Sequence, residues 1–189
     1  MFPMISEIAE FDQAKLIVDR ELTYLRQHGH ALPERIDIGT MIEVPALLYQ
    51  LDELFEKVDF VSIGSNDLFQ FMFAVDRGNS KVSDRFDTLS APILRALRDI
   101  IRKAHAAKRD ASLCGEMAST PIGALALIAL GYRTLSLSAT AHGPVKALIL
   151  DLDAQKAETL MTTLLDAPAG SVSIRGELKR FADAEGLSL

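Results

Sequence analysis

Along the chain, short apolar runs alternate with longer segments whose apolar residues recur at helical spacing, a rhythm that predicts parallel βα units. Residues 2–5 form a first short run, and Ser6 with Glu7 and Glu10 opens a helix that runs to His28 and stops at Gly29. A strand is predicted over 36–43, a helix over 46–55 and a strand over 60–63. The stretch 64–90 reads as irregular, long for a connection and therefore functional in character. Ile93, Leu94, Leu97, Ile100, Ile101 and Ala104 share one side of a helix over 91–107. A strand at 111–114, a helix at 122–130 and a strand at 134–137 bring the strands to five, and helices over 144–150, 154–165 and 172–184 end the chain.

Composition narrows the class. With 189 residues, 49% of them hydrophobic, the chain can bury a sizeable core as one domain. A net charge of −6 without a basic run excludes a nucleic-acid surface, so an anion site must rest on local arginine or on metal. One cysteine makes no internal disulfide, which suits a reducing compartment, and Met1 opens onto Phe2-Pro3-Met4 without a leader pattern, so a cytoplasmic location is expected. The longest apolar stretch, 122–130, is too short to cross a bilayer.

Chemistry gathers where the predicted strands stop. Ile63-Gly64-Ser65-Asn66-Asp67-Leu68 and Ala74-Val75-Asp76-Arg77-Gly78-Asn79 put amide, carboxylate and guanidinium directly after an apolar run. The same layout recurs at 36–43, ending in Glu43, and at 111–116, containing Cys114 and Glu116. Parallel α/β folds carry their chemistry at the carboxyl ends of strands. Glu43 and Asp67 are hard oxygen donors suited to Mg²⁺ or Mn²⁺. Arg77 offers a planar fork for phosphate or carboxylate, and Asn66 can hydrogen-bond the same anion. Taken singly, each has a plain structural use: Glu43 as a cap or ion-pair partner, Asn66 and Asp67 as turn residues, Arg77 as a solvated charge and Cys114 as a small buried hydrophobe. Their joint occurrence points instead to metal-assisted handling of a small phosphorylated acid.

The strings at 1–6, 41–45, 62–68, 74–79 and 113–118 resemble the carboxyl-terminal, phosphoenolpyruvate-binding domain of enzyme I, the phosphoenolpyruvate-protein phosphotransferase of the sugar phosphotransferase system. The wording at 113–118, 131–133 and 135–138 is more similar to the nitrogen-regulatory branch. The resemblance runs from Met1 to about Asp153. It implies metal ligation by Glu43 and Asp67, phosphoenolpyruvate contacts from Asn66, Asp67 and Arg77, and a proton donor at Cys114. It implies phosphoryl transfer to a histidine and protonation of the resulting enolate to pyruvate. It also implies a (β/α)₈ barrel, of which this chain would hold about five βα units with extra carboxyl-terminal helices, and a homodimer.

On that resemblance the chain begins in the fourth barrel strand. Three strands, two further phosphate-holding arginines, the phosphohistidine domain and the domain that docks the histidine phosphocarrier protein would lie outside it. His28, His30, His105 and His142 do not resemble the phosphohistidine motif and read as surface positions. The isolated chain is therefore expected to retain the metal ligands and the acid without running the whole reaction. Two other readings are a relative of pyruvate phosphate dikinase or phosphoenolpyruvate synthase, and a non-catalytic dimerisation or regulatory module.

Overall fold

The structure is a computed structural model, and it describes residues 1–76, 78–79, 81–82, 87–168 and 172–189. Its centre is an open parallel sheet of four strands in sequential order: β1 (Thr40–Ile42), β2 (Phe60–Gly64), β3 (Asp110–Cys114) and β4 (Leu135–Ser136). The expected α/β class therefore holds, with a sheet that stays open among the described residues, as an incomplete barrel does. Register is set by the pairs Ile42 with Ile63, Gly64 with Cys114 and Cys114 with Ser136.

The expected first strand at 2–5 is reduced to one bridge, Phe2 to Thr40. Phe2 donates to Gly39 O at 2.9 Å and accepts from Met41 N–H at 2.8 Å, as a strand residue would. Pro3 then has no N–H to give, and Met4 turns into the left-handed region at φ 56°, so pairing ends there. The strand expected over 36–43 is likewise shorter: Ile36 is exposed, and Asp37 is tied to Arg35 rather than to a neighbouring strand.

Helix α1 (Ile8–Gln27) starts in a capping box in which Glu10 accepts from the backbone of Glu7, while the Ser6 hydroxyl also donates to Glu10. The helix expected over 46–55 divides into a 3₁₀ segment (Pro45–Gln50) and α2 (Leu51–Lys57). The stretch expected to be irregular from Gly64 contains α3 (Ser65–Phe73), which begins directly at the end of β2. In α4 (Ala91–Ala106) all six residues of the predicted stripe are buried. Helix α5 (Pro121–Ala129) is buried from Gly123 to Ala129 on every side, because it lies among α6 (His142–Asp151), α7 (Ala154–Asp166) and α8 (Ile174–Glu185). This accounts for the apolar run as a core helix, and no described helix is long and apolar enough to cross a membrane.

Arg175 in α8 chelates Asp87 ahead of α4, through contacts of 2.9 and 2.5 Å. That bond ties the last helix to the approach to α4 and holds the Asp87 carboxyl below the usual carboxylate range.

Candidate active site

Because all four strands are parallel, the residues following β1, β2 and β3 converge on one edge of the sheet. Glu43 follows β1 and is 3% exposed. Its Oε1 accepts the Met4 N–H at 2.7 Å. Its Oε2 rests on Gly64: a Cβ built there would stand 2.5 Å from that oxygen and 3.0 Å from Glu43 Cβ. Glycine at 64 therefore leaves the room in which the carboxylate sits. On the other side of the strand, Gly64 is in register with Cys114.

Cys114 ends β3, half-buried. Its thiol donates to Ile63 O at 3.4 Å and accepts from the Ser62 hydroxyl at 3.9 Å. The buried Ser65 hydroxyl donates to Cys114 O at 2.8 Å. Gly115 has φ 125°, and a Cβ there would collide with Ser65 Oγ and come within 2.9 Å of Asn66 Oδ1. The ends of β2 and β3 are thus packed backbone against side chain.

Asn66 and Asp67 lie in the first turn of α3 rather than in a loop. Asn66 Oδ1 accepts the Glu116 N–H at 3.1 Å, which fixes the amide plane. Its nitrogen, the donor end, has no partner among the described residues. Asp67 is half-buried in the same turn, where the unpaired N–H groups of the helix favour negative charge. Glu43, Gly64, Asn66 and Cys114 thereby share one edge, whereas Arg77 lies outside the described residues.

The donor set suits a hard divalent cation: two carboxylates on consecutive βα units, one of them nearly excluded from water. Among the described residues no group of three or more His, Cys, Asp and Glu side chains could hold a metal. Glu43 and Asp67 would therefore bind one only together with water or ligand oxygens, which is how Mg²⁺ commonly binds. Gly64, Met4, Ser62, Ser65 and Gly115 shape the site without having been singled out by type. Their signal was positional, since all lie inside the strings that carried the resemblance.

Comparison with known proteins bears on the same residues. Residues 1–154 match the family model described as PEP-utilising enzyme, PEP-binding domain. The chain is 36% identical over 188 residues to a protein of Salmonella typhimurium named phosphoenolpyruvate-dependent phosphotransferase system, covering 99% of this chain and 25% of that protein. It is 39% identical over 165 residues to the phosphoenolpyruvate-protein phosphotransferase of Bacillus sp. strain S, covering 87% of this chain and 28% of that one. The chain thus spans about a quarter of the length of these relatives. Among solved structures, a citrate lyase from Burkholderia xenovorans shares the fold at a TM-score of 0.53 and 19% identity, over 99% of this chain and 64% of that chain.

Proposed function

The chain belongs to the PEP-binding domain family of PEP-utilising enzymes, and from that membership we propose that it forms the phosphoenolpyruvate- and metal-binding part of a phosphoenolpyruvate-protein phosphotransferase. The observation that carries this reading is the bracketing of Gly64 by the Glu43 carboxylate on one side and Cys114 on the other. It sets a buried oxygen donor and a thiol on the strand ends to either side of β2, at one edge of the sheet.

In this reading Glu43 and Asp67 hold Mg²⁺ or Mn²⁺, and the Asn66 amide donates to an anionic oxygen of the substrate. Arg77 grips the phosphoryl group as a bidentate cation. The bound metal supplies charge neutralisation for the carboxylate, the phosphate and the leaving enolate. The phosphoryl group passes to a histidine, and the P–O electron pair stays on the enolate oxygen. Cys114 gives its S–H proton to the enolate carbon, producing pyruvate and a thiolate, to which the Ser62 hydroxyl donates. The Ile63 carbonyl holds that proton in the resting site. The names of the relatives favour this enzyme over the dikinase and synthase readings. The nitrogen-regulatory branch, a histidine phosphocarrier protein as the downstream partner and a homodimer complete the proposal.

Thermal unfolding of the chain tests it. Ligand that binds only the folded state raises the midpoint, by about 2.7 kcal/mol of stability at a hundredfold excess over Kd. Phosphoenolpyruvate with Mg²⁺ should raise the midpoint more than the two added separately, and strictly additive shifts would rule out a shared site.

A further inference from the structure

A second cluster of charge lies at the opposite end of the sheet. Helix α4 ends at Ala106, just before β3 begins at Asp110, and the α5–β4 turn ends just before β4 begins at Leu135. Between α4, that turn and α7 is a cleft of about 340 Å³, with Arg98, Arg102, His105, Gly131, Arg133 and Glu158 in its wall. Three guanidiniums and an imidazole thus meet two carboxylates, Glu158 in the wall and Asp166 paired with Arg98, in a chain whose net charge is −6.

Among the described residues, internal pairing engages only two of these four groups. Arg98, Arg102 and His105 are spaced so that they share one face of α4, where like charges four residues apart repel. Arg98 is held by Asp166 at 2.8 Å. Arg133 is held by Ile128 O, Tyr132 O and Glu158. Those bonds fix two guanidiniums in position, while the side chains of Arg102 and His105 have no hydrogen-bond or ionic partner among the described residues. The His105 ring edges Gly131, whose missing side chain leaves nothing nearer than 3.8 Å to a Cβ built there. A cation near a helix C-terminus is favoured by the backbone dipole. That effect covers neither Arg98, two turns before the helix end, nor Arg133, from another element.

We propose that this cleft binds a small anion with at least two negative groups, a polycarboxylate or a phosphorylated metabolite, at a site remote from the carboxyl-end residues. The volume falls at the lower end of ordinary small-molecule sites. The Arg102 guanidinium, which has no partner among the described residues, matches the two-point geometry of carboxylate and phosphate. The proposal does not depend on phosphoenolpyruvate binding at the other end, so either can fail alone.

Titration of the ¹⁵N-labelled chain with inorganic pyrophosphate and, separately, with citrate, at low ionic strength and with chelator present, tests it. Saturable amide shifts centred on His105 and Gly131 are expected, and which probe binds more tightly tells phosphate from carboxylate preference. Arg102→Gln and His105→Gln should each weaken binding by about tenfold, in spectra that report the fold directly. Shifts centred on Asn66 and Gly115, affinity unchanged in both variants, or no saturable shift with either probe would overturn the assignment.

Discussion

Glu43 and Gly64 occupy each other's space: the carboxylate of one fills the volume that a side chain on the other would need. Neither residue alone explains the pair. A buried carboxylate needs a partner for its charge, and a glycine at a strand end brings no side chain to pack. Together they place an acid at the carboxyl edge of the sheet. Gly64→Ala should therefore cost about 1–3 kcal/mol through overpacking, measured by urea unfolding, and should also weaken Mg²⁺ binding. A fully stable variant with normal metal affinity would show that the contact has no consequence.

Two changes at Glu43 separate its structural use from its chemical one. Glu43→Ala leaves the Met4 N–H without its acceptor, a loss of about 1–3 kcal/mol. Glu43→Gln keeps an oxygen for that N–H but removes the charge. The expected result is near-native unfolding of the glutamine variant with metal-dependent ligand binding abolished in both.

Cys114→Ala should retain metal-dependent phosphoenolpyruvate binding, since in the proposed reaction the thiol acts on the enolate and not on the bound ground state. The native thiol should also be alkylated more slowly when phosphoenolpyruvate and Mg²⁺ are present together. Equal iodoacetamide rates with and without them would place Cys114 outside the bound ligand's footprint.

The Arg175–Asp87 bond makes an acid-side contribution to stability. Hydrogen bonding from Arg175 lowers the Asp87 pKa in the folded state, so the contribution is complete above the unfolded value of about 4 and is lost as pH falls through the folded one. Because both side chains are more than a third exposed, it amounts to about 1 kcal/mol or less. Arg175→Gln should narrow the stability gap between pH 7 and pH 3, as read by unfolding midpoints at each pH.

Tyr132 behaves in the opposite sense. Its hydroxyl, fully buried, donates to Leu97 O at 2.9 Å, and burial pushes its pKa well above the ordinary tyrosine range. A proton held more tightly in the folded state stabilises fully below the unfolded pKa of about 10, and that stabilisation is lost as pH rises beyond it. Tyr132→Phe should cost about 1 kcal/mol at neutral pH and flatten the alkaline fall in stability.

Much of this was legible in the chain itself. The runs at 60–63 and 111–114 are strands because each is short, apolar and ended by glycine, and the α4 stripe is a helix because its spacing is unambiguous. Helix α3 was not legible: Ser65-Asn66-Asp67 has the composition of a turn, and only Leu68, Phe69, Met72 and Phe73 packing on the core make it helical. The strand at residue 2 failed for a backbone reason, Pro3 and the left-handed Met4, of which only the proline is visible in advance. For the candidate site, type and place singled out Glu43, Asn66, Asp67 and Cys114 as candidates, and the structure sets them at the carboxyl ends of neighbouring strands. Their support could not be read, since the Met4 N–H and the volume at Gly64 exist only once distant segments meet.

The most direct test is calorimetric titration of the folded chain with phosphoenolpyruvate, in Mg²⁺ and again in chelator. The prediction is saturable binding that requires Mg²⁺ and is lost in Asp67→Ala and Glu43→Gln. Absence of binding by a chain shown to be folded, or binding that is indifferent to chelator and to both substitutions, would contradict a metal-assisted phosphoenolpyruvate site at the carboxyl ends of these strands.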